Sequence, residues 1–113
     1  MHDRIRVVHV DDESDIRTVT AERLKRADER IDVTSVATVA EAFEHLHDEP
    51  VDCVLSDYRM PGTDGLEFLS QVRDRWPNLP FILYTGRGSE AVASEATSEG
   101  VTYYMQKEGA PEH

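Results

Sequence analysis

The sequence predicts an α/β domain: a doubly wound, five-stranded parallel sheet with helices on both faces. Three observations predict it. Short apolar runs alternate with helix-period patterns, with little between them, as βαβ units require. The first, third and fourth runs are almost continuously apolar, which suits strands covered on both faces. Finally, four runs end in reactive or charged side chains: Val10-Asp11-Asp12-Glu13, Ser56-Asp57-Tyr58-Arg59-Met60-Pro61-Gly62, Leu83-Tyr84-Thr85-Gly86 and Tyr104-Met105-Gln106-Lys107. In a parallel sheet those ends meet at the carboxyl edge, where open α/β sheets bind their ligands. Three carboxylates, a hydroxyl and an ammonium meeting there suit a hard divalent cation and a phosphoryl group.

The elements follow in order. Ile5 to Val10 reads as the first strand. Ser14 is the expected N-cap of a helix whose face carries Ile16, Val19 and Leu24. Ile31 to Val36 is the second strand. Thr38 and Glu41 match a capping box, followed by Val39, Ala42, Phe43 and Leu46 at buried-face spacing. Asp48-Glu49-Pro50 breaks that helix, and Val51 to Ser56 is the third strand. Pro61 to Gly65 is a loop of turn-forming residues. Leu66, Leu69, Val72 and Trp76 form the next helical stripe. Pro77 and Pro80 bracket a turn before the fourth strand, Phe81 to Tyr84. Ser89 to Glu99 is helix-like, anchored by Val92 and Ala96 and ended by Gly100. Val101 to Gln106 is the fifth strand.

A chain of 113 residues makes one domain, residues 1–113, with a core large enough to need no staples. The one cysteine, Cys53, lies in an apolar run and is expected to be a small core residue; no internal disulfide can form, which fits a reducing compartment. No apolar run reaches the length of a membrane span, and Met1-His2-Asp3-Arg4 does not open a signal peptide, so a cytoplasmic location is expected. Twelve basic and twenty-three acidic residues leave a net charge of −11, which opposes unaided binding to nucleic acid or an anionic membrane. Only Lys25 and Lys107 are lysines. Such a surface fits a halophilic, high-salt cytoplasm, where screening tolerates dense negative charge; it fits an ordinary acidic bacterial protein equally well.

The set Asp11-Asp12, then Asp-x-x-Met-Pro-Gly-x-Asp-Gly from Asp57 to Gly65, then Thr85-Gly86, then Lys107 resembles the receiver domain of two-component response regulators, of the chemotaxis-regulator-like kind. An Asp-Asp pair alone would be weak; the four motifs in this order are specific and span nearly the whole chain. The resemblance implies a flavodoxin-like strand order, 2-1-3-4-5. It implies that Asp57 is the phosphoacceptor, a carboxylate nucleophile forming an acyl phosphate. Asp11, Asp12, Asp57 and the Arg59 backbone carbonyl would hold Mg²⁺, which prefers hard oxygens and retains waters; Asp11 would act through water. Glu13 and Asp15 serve only the adjacent helix dipole. Lys107 would pair with Asp57 and then with the phosphate. Thr85 would donate its hydroxyl to the phosphoryl group and, with Tyr104, form the switch; Tyr103 lies on the opposite strand face. The implied partners are a sensor histidine kinase or phosphotransfer protein as donor, and an output domain or other partner at the face of helix 4 and strand 5. None of His2, His9, His45, His47 or His113 has the context of a donor histidine.

The sequence departs from the family pattern in places. A fifth helix is expected after the last strand, but only Glu108 to His113 remain. The expectation is a domain cut within or before that helix, belonging to a longer protein, with a sheet flank left open to another chain or a second copy. Glu108 stands where receivers often carry a proline, and a cis non-proline bond costs ~3 kcal/mol, so a trans Lys107–Glu108 bond is expected. Arg59 and Arg87, two residues beyond Asp57 and Thr85, could shield an acyl phosphate from water or point to solvent. Two other readings compete with a switched receiver. A pseudo-receiver, an interaction domain that is never phosphorylated, is opposed by the intact set of five residues. A magnesium-dependent phosphatase with an aspartyl-phosphate intermediate would carry a second aspartate two residues after its nucleophile, where this chain has Arg59.

Overall fold

The computed structural model of the chain describes residues 4–60, 62–85, 100–101 and 103–106. β1 (Ile5–Val10) is followed by α1 (Ser14–Ala27), β2 (Ile31–Val36), α2 (Val39–Asp48), β3 (Cys53–Asp57), α3 (Gly65–Arg75), β4 (Phe81–Thr85) and β5 (Tyr103–Gln106). The strands form one parallel sheet in the order β2-β1-β3-β4-β5. This is the fold and strand order expected. The expected helix from Ser89 to Glu99, the segment beyond β5 and the Lys107–Glu108 bond lie outside the described residues.

The chain steps left from β1 to β2, then right to β3 and β4. Right-handed crossovers then place α1 on one face and α2 and α3 on the other. The alternation of side chains agrees. Val8, Val10, Val54, Phe81 and Leu83 point to the face of α2 and α3, where they bury Ala42, Leu46, Leu66, Phe68, Leu69 and Val72. Val7, His9 and Leu55, buried as well, point the other way. Rings of α2, α3 and β4 run through that core: Phe43 meets Phe68 edge-on at 5.3 Å, and Phe68 meets Phe81 at 5.4 Å, in the geometry ring quadrupoles favour. Fully buried Phe68 lies outside the apolar stripe read from the sequence, which recorded only the row containing Leu66, Leu69 and Val72.

Other boundaries moved for local reasons. Ser14 is the first helical residue and not the cap. The N-cap is Glu13, with no side-chain cap bond, because the Asp11 carboxylate already accepts the Glu13 N–H at 2.9 Å and makes the turn into the helix. Thr38 does cap α2, its hydroxyl accepting the Glu41 N–H; the Glu41 carboxylate takes the Ala37 N–H instead of closing the box. In α1 the inward row is Ile16, Thr20 and Leu24 at i+4 steps, so Val19 is rotated outward and 46 % exposed. β3 begins at Cys53 rather than Val51 and includes Asp57; Cys53 is half-buried, and desolvation, then nearby Asp52, pushes its thiol up from the ordinary value. β5 starts at Tyr103, two residues later than expected. At the α1–β2 turn Asp28 accepts both the N–H and the guanidinium of Arg30, which hold its carboxyl at about 2. That exposed contact is fully formed above the ordinary value of 3.8 and is lost as pH falls through about 2.

Arg73 ties the far end of α3 to the segments that lead into β4 and β5. Its guanidinium donates to the carbonyls of Trp76 (3.1 Å), Leu79 (2.7 Å) and Gly100 (2.8 Å), and its partial burial lowers its pKa from the ordinary value. Gly100 presents that carbonyl with φ of +94°, a conformation other residues rarely adopt, and a Cβ there would stand 3.2 Å from the Arg73 Nε. Arg73→Ala, which removes the guanidinium from the Leu79 and Gly100 carbonyls and leaves the Trp76 carbonyl only the Leu79 N–H, is expected to destabilise the domain by about 1–2 kcal/mol in urea denaturation; an unmoved midpoint would show that water replaces the guanidinium at no cost.

Candidate functional site

The carboxyl edge of the sheet is assembled by strand register. Val10 pairs with Ser56, so the residues that follow them, Asp11 and Asp57, leave adjacent strands at one level. Asp57 in turn pairs with Tyr84, and Thr85 with Gln106. The four strand ends therefore stand side by side, as parallel pairing demands. Carboxylate oxygens of Asp11, Asp12 and Asp57 come within 4.8 Å of one another. Asp11 is fully buried, Asp57 nearly so, and Asp12 is exposed.

Each buried aspartate is pinned through its backbone. Asp11 donates its N–H to the Val36 carbonyl at 3.1 Å, accepts the Glu13 N–H on Oδ1, and accepts the Arg17 Nη1 on its own carbonyl at 2.8 Å. Asp57 Oδ1 accepts the Tyr58 N–H at 2.9 Å, and the Asp57 carbonyl accepts the buried Ser56 hydroxyl at 2.9 Å. The loop beyond β3 is anchored by Tyr58 and Met60, which pack on the core, and by the Gly65 N–H, which donates to the Tyr58 carbonyl at 2.7 Å.

Gly65, expected in the loop, is the first residue of α3, and it allows that helix to start against the end of β3. A Cβ there would stand 2.5 Å from the Asp57 carbonyl and 2.7 Å from Leu83 Cδ1. Asp64 caps the helix with a closed capping box: its carboxylate accepts the Glu67 N–H at 2.9 Å, and Glu67 accepts the Asp64 N–H at 3.2 Å. The Asp-x-x-Glu pattern from Asp64 to Glu67 is the local sequence signal of this cap. The roles of Ser56 and Arg17 carry no local signal, since both depend on what the fold brings near them.

Thr85 closes β4 and Tyr104 lies within β5, where its backbone pairs with Leu83; for both, the backbone alone is described. Arg59 is exposed, two residues past Asp57. Gly86, Arg87 and Lys107 lie outside the described residues.

Two like unit charges about 5 Å apart repel by roughly 3 kcal/mol at an effective dielectric constant of about 20. Three carboxylates at this spacing thus favour a counter-cation. The donor set consists of hard oxygens alone, which suits Mg²⁺ or a similar ion and not a thiophilic metal.

Residues 7–113 match the family model described as the response regulator receiver domain. Among curated proteins, the chain is 38% identical over 109 residues to the hydrogenase transcriptional regulatory protein HoxA of Cupriavidus necator, covering 95% of this chain and 22% of that protein. It is 39% identical over 98 residues to the DNA-binding transcriptional regulator NtrC of Escherichia coli K12, covering 87% and 20%. The chain thus spans about a fifth of the length of these relatives. Among solved structures, the chemotaxis response regulator CheY4 of Vibrio cholerae superposes with a TM-score of 0.83 at 27% identity, over 93% of this chain and 88% of that one.

Two outcomes are expected from the geometry. Gly65→Ala forces α3 away from the Asp57 carbonyl and should destabilise the domain by about 2 kcal/mol in urea denaturation; wild-type stability would mean the helix start shifts freely. Asp12→Ala relieves the carboxylate crowding, so in chelator-treated buffer it should raise stability by about 1 kcal/mol while removing any stabilisation by added Mg²⁺. A variant less stable than wild type without metal would show that the repulsion is already screened.

Proposed function

The chain belongs to the response regulator receiver domain family, and from that membership we propose that it is a phosphorylation-switched receiver whose phosphoacceptor is Asp57. The observation that carries the reading is the approach, within 4.8 Å, of Asp57 to Asp11 and Asp12 from a neighbouring strand end. Receivers are signalling modules of two-component systems and not enzymes acting on small-molecule substrates.

In this reading an Asp57 carboxylate oxygen attacks the phosphorus of a phosphohistidine on a sensor kinase or phosphotransfer protein. An O–P bond forms as the P–N bond breaks, and the departing imidazole nitrogen keeps the electron pair. Asp11, Asp12, Asp57 and the Arg59 carbonyl would hold Mg²⁺, which would supply charge neutralisation at the transferred group. The chain's own task is positioning. The Tyr58 N–H fixes one oxygen of Asp57, and the Gly65 N–H, donating to the Tyr58 carbonyl, ties the loop after β3 to the start of α3. Lys107 would balance the charge of the phosphoryl group, and the Thr85 hydroxyl would bind it. A shift of Thr85 toward the phosphoryl group, together with Tyr104, would bias a two-state loop set read by an output domain or partner at β5 and the segment before it. Water attack on the acyl phosphate restores the Asp57 carboxylate and releases inorganic phosphate. The curated relatives are transcriptional regulators by name; a comparable output domain in a cytoplasmic regulator is the corresponding proposal here.

Intact mass after incubation with Mg²⁺ and acetyl phosphate tests the reading. The wild type should gain one phosphoryl group, and Asp57→Asn should gain none. If neither gains one although Mg²⁺ binds, the domain is a phosphorylation-independent interaction module.

A further inference from the structure

The acidic edge contains one side chain whose role neither the family motif nor the metal chemistry explains. Arg17 lies in the first turns of α1, half-buried. Its guanidinium reaches back across the turn and donates Nη1 to the Asp11 carbonyl at 2.8 Å, while its own N–H bonds the Glu13 carbonyl at 3.0 Å. Asp11 and Glu13 are joined in turn by the carboxylate bond that shapes the turn. Arg17 therefore closes a ring of hydrogen bonds around the dipeptide that carries both Asp11 and Asp12.

We propose that Arg17 is a positioning residue for the metal site: it clamps the β1–α1 turn so that the Asp11 and Asp12 carboxylates face Asp57 in a geometry ready for Mg²⁺. The proposal rests on the receiver reading above and deepens it. Arg17 acts through the backbone of Asp11 and is not itself a ligand. Groups behind a first shell of ligands hold those ligands in place, and their loss commonly weakens metal binding by about 10–100-fold. The alternative role, a bystander cation near the carboxylates, predicts the opposite sign. A positive charge close to a divalent cation site repels the metal, so its removal would tighten binding.

The test is calorimetric titration of the full chain with Mg²⁺ alone, for the wild type, Arg17→Ala and Arg17→Lys. As a clamp, Arg17 predicts that Arg17→Ala binds Mg²⁺ about tenfold more weakly. Arg17→Lys, which keeps the charge and one donor, should fall between the two. Amide hydrogen exchange adds a readout independent of the metal: in metal-free buffer Arg17→Ala should speed exchange at the Glu13 N–H, with the core strands still protected. Equal or tighter Mg²⁺ binding by a folded Arg17→Ala overturns the proposal, as does unchanged exchange at Glu13. If Arg17→Ala does not fold, Arg17→Lys decides alone, and wild-type affinity with wild-type exchange overturns the clamp. A wild type that binds no Mg²⁺ overturns the receiver reading and the clamp together; one that binds Mg²⁺ and takes up a phosphoryl group, with Arg17→Ala unaffected, overturns only the clamp.

Discussion

Like charges resist being brought together, and the carboxyl edge of this sheet holds three carboxylates within 4.8 Å. The energy that opposes their repulsion comes from elsewhere in the domain. β1 and β3 are paired neighbours at the centre of the sheet, and their last residues are buried. Moving Asp57 away from Asp11 would unpair strands whose side chains form the core on both faces. The acidic cluster is therefore held in place by the sheet, and a fold strong enough to hold it is strong enough to present it to a cation. The carboxylate cluster is thus preorganised by the core of the sheet.

The connections transmit that rigidity to the tips of the strands. Parallel strands end where their turns begin, and turns are the places where a backbone can move. Here the turns after β1 and β3 are fixed by specific contacts. The Asp11 carboxylate makes the turn into α1, the Arg17 guanidinium closes it, and the missing side chain of Gly65 lets α3 begin directly against the Asp57 carbonyl. The capping box of Asp64 and Glu67 satisfies backbone donors at the same helix end. These contacts lie within a few residues of the three carboxylates, whereas Arg73 performs the corresponding service at the other end of α3, away from the chemistry.

Membership in the receiver family agrees with this division between scaffold and site. The fold is shared with a chemotaxis regulator at 27% identity, and the relatives with higher identity are transcriptional regulators more than four times as long. The strand pair β4–β5 places Thr85 and Tyr104 on neighbouring strands of one hydrogen-bonded ladder.

The sequence by itself determined the class of fold, the order of its described elements and the three carboxylates that meet at one edge, because these follow from local signals. Continuous apolar runs mark covered parallel strands; Val39, Ala42, Phe43 and Leu46 mark a helix face; Asp11, Asp12 and Asp57 stand at strand ends that any parallel arrangement must bring to one edge. Tertiary structure alone decided the rest. Val19 is apolar yet exposed because the docking angle of α1 favours the row of Ile16, Thr20 and Leu24, and no periodicity within one helix sets that angle. Phe68 is buried because rings from α2 and β4 meet it from either side. Cys53 is only half-buried because β3 starts at its position. Gly65 and Arg17 owe their roles to backbone atoms that the fold brings to them, Asp57 from the end of β3 and Asp11 from across the β1–α1 turn. Hydrophobic pattern and turn chemistry are properties of a segment and can be read along the chain; close approach between segments is a property of their packing and exists only once the sheet and its helices are assembled.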